Sequence, residues 1–140
     1  MPLELNSLRD SIAALKAVLE AIDDVRMTRG LNDIARSAMK SGAIKHFEFT
    51  YELCWKFMKR WLEMNISPDV AEGVTRIELF RLAAENLLID DLDKWMRYHK
   101  ARNLTSHTYD QRVSETVYSA ARDFASDAQK LLDALEVRND

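Results

Sequence analysis

Cysteine is almost missing from this chain. One residue, Cys54, among 140 cannot close a disulfide within the chain, which removes the disulfide-stapled scaffolds and fits a reducing compartment. Glycine and proline are scarce, three and two residues, which argues against a turn-rich β architecture and for long helices. No apolar run approaches the ~20 residues that span a bilayer. No basic-then-apolar leader opens the chain either, so no membrane association and a cytoplasmic location are expected. Glycine-rich loops of the P-loop or dinucleotide kind, which cradle phosphates, do not occur. His46, His99, His107 and Cys54 are too scattered for a zinc site, so neither metal nor cofactor is expected. There is also no Gly-Ser followed by a closely spaced aspartate pair, the arrangement that holds metal and nucleotide for nucleotide transfer. This argues against such transfer by the chain itself.

What is present is helical periodicity. An apolar share of 47% and a charged share of 31% suit one globular domain over residues 1–140, long enough to bury a single core. Leu5, Leu8, Ile12, Leu15, Leu19 and Ile22 recur at steps of three and four, which keeps them on one helical stripe. Asn6 is the expected N-cap of this helix, and the stretch Asp23 to Gly30 is expected to fray. Ile44, Phe47, Tyr51, Cys54, Met58 and Trp61 form a second stripe, widened by Trp55 and Leu62. One long helix is predicted from near Leu31 through Ser41-Gly42 to about Asn65, because Ser67-Pro68 then disfavours helical backbone. Thr75 and Glu78 have capping-box spacing ahead of a short helix to about Glu85. Asp90 or Asp91 can cap a helix bearing Leu92, Trp95, Met96 and His99, and Asp110 the last one, striped by Val113, Val117, Ala120, Phe124, Ala128, Leu131 and Leu135. No segment alternates with period two for long enough to make a strand. The fold class is therefore all-α: an antiparallel, up-and-down, four-helix-bundle-like domain with one or two short extra helices.

Charge is unevenly spread. The net charge is −3, yet Asp93 to Arg112 holds Lys94, Arg97, Lys100, Arg102 and Arg112 against Asp93 and Asp110, a +3 island in a chain otherwise at −6. Clustered cations attract phosphates, although a solvated helix face has the same composition. Within the island runs Arg102-Asn103-Leu104-Thr105-Ser106-His107-Thr108-Tyr109. The arginine offers a permanent forked charge suited to phosphate, and the histidine titrates near neutrality. Together they suit phosphodiester chemistry without a metal: His107 can take a proton from a ribose 2′-hydroxyl while Arg102 stabilises the phosphorane. On an ideal helix, however, five residues set the two about 140° apart, so a shared site requires the helix to end or bend between them. The same residues also read as a plain helix end, Arg102 pairing with an acidic neighbour and His107 hydrogen-bonding loop carbonyls.

Arg102, four intervening residues, His107, and Tyr109 two further on, with the polar Asn103 after the arginine, resemble the signature of the HEPN superfamily. Phe47-Glu48-Phe49-Thr50-Tyr51-Glu52-Leu53-Cys54-Trp55-Lys56 resembles the long-helix signature of its nucleotidyltransferase substrate-binding family. A Trp-bearing helix like that around Trp95 comes next in the same order, and the resemblance runs from about Ala35 to Leu132. It implies a helical bundle that forms a homodimer, with Arg102 and His107 of both copies facing one cleft. It also implies a two-gene, toxin-antitoxin-like module, whose other half is a separately encoded minimal nucleotidyltransferase. Some members are ribonuclease toxins silenced by AMP on the tyrosine matching Tyr109; others are substrate-binding subunits only. By this resemblance Arg102 and His107 are the catalytic candidates for RNA or a nucleotide substrate, Asn103, Lys100, Glu48 and Glu52 the supporting ones, and Tyr109 the modification site. Glu48 and Glu52, one turn apart, can orient Arg102 or bind part of a nucleotide. Equally, they can accept hydrogen bonds from Trp95 or Tyr98, or face water opposite Lys56. Tyr109 reads alternatively as a half-buried aromatic bonded across the bundle, and Trp55 and Trp61 as core or dimer-interface residues.

Overall fold

In the computed structural model, which describes residues 2–139, the chain forms six α-helices and no strand among those residues. They are α1 (Asn6–Asp23), the single turn α2 (Val25–Thr28), α3 (Asp33–Asn65), α4 (Arg76–Glu85), α5 (Leu92–Asn103) and α6 (Gln111–Val137), with a 3₁₀ turn at Thr105–His107 between the last two. The stripes explain the packing. α1 lies on α3 and α6, α6 also packs on α5, and α4 fits against α3 and α5. Among the described residues no helix is long and apolar enough to cross a membrane.

The helix ends follow the side chains that satisfy free backbone donors. Asn32, Thr75, Asp91 and Asp110 accept from the first-turn amides of Ala35, Glu78, Lys94 and Arg112 respectively. Asn6 does not do this: it is already the first helical residue, Leu5 holds the cap position without a side-chain bond, and the Asn6 amide oxygen accepts from Arg9 instead. The stretch expected to fray contains α2, which Asp24 caps through the Arg26 amide. Ser41-Gly42 lies inside α3 without interrupting it.

One apolar cluster runs from Leu5 to Leu135. Its centre is aromatic: the Phe124 ring meets Phe47 at 5.1 Å, Tyr98 at 5.1 Å and Trp95 at 5.7 Å, each close to edge-on. Such pairs add ~0.5–1.5 kcal/mol each beyond area burial, and they lock α3, α5 and α6 together. Tyr98 donates to the buried carboxylate of Asp127 on α6; burial first, then this bond, raises the phenol pKa well above its ordinary value. At the surface Arg122 grips Asp23 with two 2.8 Å bonds, tying the end of α1 to α6. α3 buries nothing fully before Ala43; its first ten residues, about 15 Å of helix, lie beside α2 and the start of α6, where Arg36 donates to the Thr28 carbonyl and Lys40 sits over the Tyr118 ring.

Candidate functional site at the end of α5

The break that Arg102 and His107 require is present. α5 stops at Asn103, where the Leu104 amide bonds back to Lys100 and Ala101. The Thr105 hydroxyl donates to the Arg102 carbonyl at 2.8 Å, closing the helix end, and the 3₁₀ turn then carries His107 away from the helix axis. Asp110 caps α6 directly afterwards.

Arg102 is held from two sides. Its Nε donates to Glu52 Oε1 at 3.2 Å and one terminal nitrogen donates to Thr105 Oγ1 at 3.1 Å. The other terminal nitrogen makes no hydrogen bond to the described residues, so it can receive a phosphate oxygen. The second carboxylate oxygen of Glu52 accepts from Trp55 Nε1 at 2.9 Å. On that indole lies the guanidinium of Arg76, 3.5 Å from the ring centroid. Tyr51 and His99 complete the cluster, the phenol oxygen 2.7 Å from Nδ1. Desolvation pushes the Tyr51 pKa up to about 12. The His99 pKa is lowered, first by burial and then by the neighbouring Arg76 charge, with Glu52 opposing.

Arg102 thus pairs with an acidic neighbour, Glu52, as the helix-end reading required. Glu48, one turn earlier, is half-buried and makes none of these bonds. Neither glutamate serves Trp95 or Tyr98, since the Tyr98 hydroxyl goes to Asp127. Lys100 and Asn103 are exposed. His107 is also exposed, its ring 6.1 Å from that of Tyr109 in a T-shaped arrangement. No hydrogen bond joins His107 to Arg102 among the described residues. Tyr109 is 87% exposed, so it is not a half-buried residue bonded across the bundle: it projects from the turn between α5 and α6. It lines an open groove of about 560 Å³ with Arg36 and Lys40 of the first turns of α3. Trp61 is a core residue, whereas Trp55 is half-buried beside the site.

Sequence reasoning singled out neither Arg76 nor the Tyr51–His99 pair for this site. For Arg76 a signal existed: a cation in the first turn of a helix opposes the macrodipole, and such placement asks for a reason. The Tyr51–His99 contact joins residues 48 positions apart and leaves no local pattern.

An all-helical chain with an arginine anchored by a long-helix glutamate, followed across a helix break by an exposed histidine and tyrosine, is in keeping with the HEPN-type resemblance of the sequence. The family model described as nucleotidyltransferase substrate binding protein like matches residues 3–137, and the chain belongs to that family. It is 36% identical over 138 residues to a probable ribonuclease HepT of Haemophilus influenzae, covering 98% of this chain and 94% of the relative. A solved structure from the same organism, described as the fold of a substrate-binding domain of a nucleotidyltransferase, superposes with a TM-score of 0.89 at 35% identity, over 95% of this chain and 99% of that one. A Thermus thermophilus crystal structure shares the fold at a TM-score of 0.68 and 24% identity, over 89% and 98% of the two chains.

Proposed function

We propose that the chain is a single-domain HEPN-type subunit that works as a homodimer beside a separately encoded minimal nucleotidyltransferase, and that its Arg102–His107 cleft cleaves RNA without a metal. The supporting observation is the helix break, which leaves Arg102 anchored with donors uncommitted and His107 exposed in the next turn. The chemistry needs both a base and an acid. His107 of one copy takes the 2′-hydroxyl proton as the 2′-oxygen attacks phosphorus. The bond to the 5′-oxygen breaks, and that oxygen takes a proton from protonated His107 of the second copy, leaving a 2′,3′-cyclic phosphate and a 5′-hydroxyl. Arg102 stabilises the charge on the non-bridging oxygens. One protomer has one such histidine, so a two-fold axis completes the site.

A second reading is a non-catalytic substrate-binding subunit. It draws on the Glu52 carboxylate, which offsets part of the Arg102 charge, and on the His107 ring, which meets only the Tyr109 ring edge-on and has no side-chain hydrogen bond among the described residues. Here the cleft holds a nucleotide, or presents the protruding Tyr109 to the partner for attachment of AMP. Incubation of the purified protein with RNA in EDTA separates the two. Cleavage that Arg102→Ala and His107→Ala abolish supports the nuclease; no cleavage by a folded dimer that still binds RNA supports the binding subunit. A mass gain of one adenylyl group on wild type but not on Tyr109→Phe, in the presence of the partner and ATP, tests the modification.

A further inference from the structure

Half-buried cations in folded proteins usually have an anion beside them, because desolvation of a charge is costly unless something compensates. Half-buried Arg138 donates to the Asn86 carbonyl instead, but half-buried Arg102 meets a carboxylate, as do the more exposed Arg9, Arg97 and Arg122. Arg76 does not: half-buried at the first position of α4, it has no carboxylate within ion-pair distance among the described residues. It is nevertheless fixed, since its guanidinium lies 3.5 Å from the Trp55 ring centroid and 6.0 Å from that of Tyr51. Stacking on an aromatic face orients the planar group and leaves its edge donors for another partner. The indole beneath is itself anchored, through Glu52, to Arg102.

We propose that Arg76 is a second phosphate-binding residue of the same cleft, contacting single-stranded RNA at a phosphate neighbouring the one that meets Arg102. This inference rests on the RNA-binding reading of the Arg102 site and extends it. A rigid cation that lacks a carboxylate, three residue contacts from another cation with free donors, suits a polyanion better than a lone small anion. An arginine stacked on an aromatic is also a surface on which an unpaired base can lie, a mode open to single strands. The arrangement makes Trp55 a positioning residue, which holds Arg76 by its face and Glu52 by its N–H.

The test is fluorescence anisotropy with a short 5′-labelled oligouridine RNA, on a His107→Ala parent so that cleavage does not intervene. Arg76→Ala, Arg76→Gln and Arg76→Lys are made in that parent. Loss of one phosphate contact is expected to weaken binding about tenfold and to reduce the slope of log affinity against log salt by about 0.7. Arg76→Lys, which keeps the charge, is expected to retain the slope. Circular dichroism checks folding, and Arg76→Gln, with its stem still able to cover the indole, decides the matter if Arg76→Ala melts. If Arg76→Gln binds within twofold of the parent with the same salt slope while Arg102→Ala loses affinity, the role of Arg76 is overturned and the Arg102 site stands. If the folded parent binds no RNA at all, both fall.

Discussion

Removing the Glu52 carboxylate separates structural from functional roles at this site. Glu52→Ala deletes the acceptor for Arg102 Nε at 3.2 Å and for Trp55 Nε1 at 2.9 Å. The Arg102 and Glu52 side chains are 33% and 35% exposed, so solvent screens the pair and its share is well under 1 kcal/mol, about what exposed pairs contribute. The indole bond adds about 1 kcal/mol after exchange with water. The loss is then about 1–2 kcal/mol, or a fall in melting temperature of about 3–7 °C for a chain of this length. If the site cleaves RNA as proposed, turnover should respond differently. Freed from Glu52, Arg102 keeps its charge but loses its aim, and a misdirected group costs on the order of 10–100-fold in kcat. KM should stay level or drop, because the guanidinium no longer shares its charge with a carboxylate. Melting curves and steady-state cleavage of a defined RNA measure both quantities. A variant that melts earlier by the stated margin yet cleaves at the wild-type rate would refute the positioning role. A rise in KM with kcat unchanged would instead mean that Glu52 contacts substrate.

Three further outcomes follow from the packing. Phe124→Ala empties the centre of the aromatic cluster, where Phe124 is fully buried, and should cost about 3–5 kcal/mol in urea unfolding; a loss under 1 kcal/mol would mean that the centre lies elsewhere. Gly42→Ala should stabilise by about 0.5–1 kcal/mol, since Gly42 is inside α3 and an added Cβ meets nothing within 4 Å, so the gain in helix propensity is unopposed; a lower urea midpoint would show a hidden contact. The lowered His99 pKa means that the fold prefers the neutral ring, among Tyr51, Arg76 and Glu52. Its share of stability is complete above the ordinary value of 6.5 and disappears as pH falls through the lower folded value. Urea midpoints between about pH 7.5 and 5 should therefore fall less steeply in His99→Gln than in wild type, and parallel profiles would contradict the assignment.

How much of this was legible in the sequence depends on whether the determinant is local. The stripes of α1, α3 and α6 were readable because burial on one face enforces a repeat of three and four. The caps at Thr75 and Asp110, and one at Asp90 or Asp91, were readable because the capping side chain bonds a backbone two or three residues away; the structure selects Asp91. Asn6 misled for the same reason: a residue suited to capping sits at a helix start, but whether its oxygen faces the first turn or Arg9 depends on the backbone at Leu5. The Arg102–His107 spacing showed that a break was necessary, and the polar run after Leu104 permitted one. The choice of Glu52 over Glu48 as the partner of Arg102 is a matter of how far α5 turns over α3, which no local pattern encodes. The exposure of Tyr109 likewise depends on the direction the chain takes after the 3₁₀ turn.

The indole of Trp55 also gives the cleft its own optical gauge. Trp95 is sealed at 2% exposure and Trp61 at 5%, so their emission is set by the interior. Trp55 alone among the three touches the glutamate that holds Arg102. An anion that draws Arg102 away from that glutamate disturbs the indole N–H in the same event, so occupancy of the cleft should be visible as a change in intrinsic emission that Trp55→Phe erases.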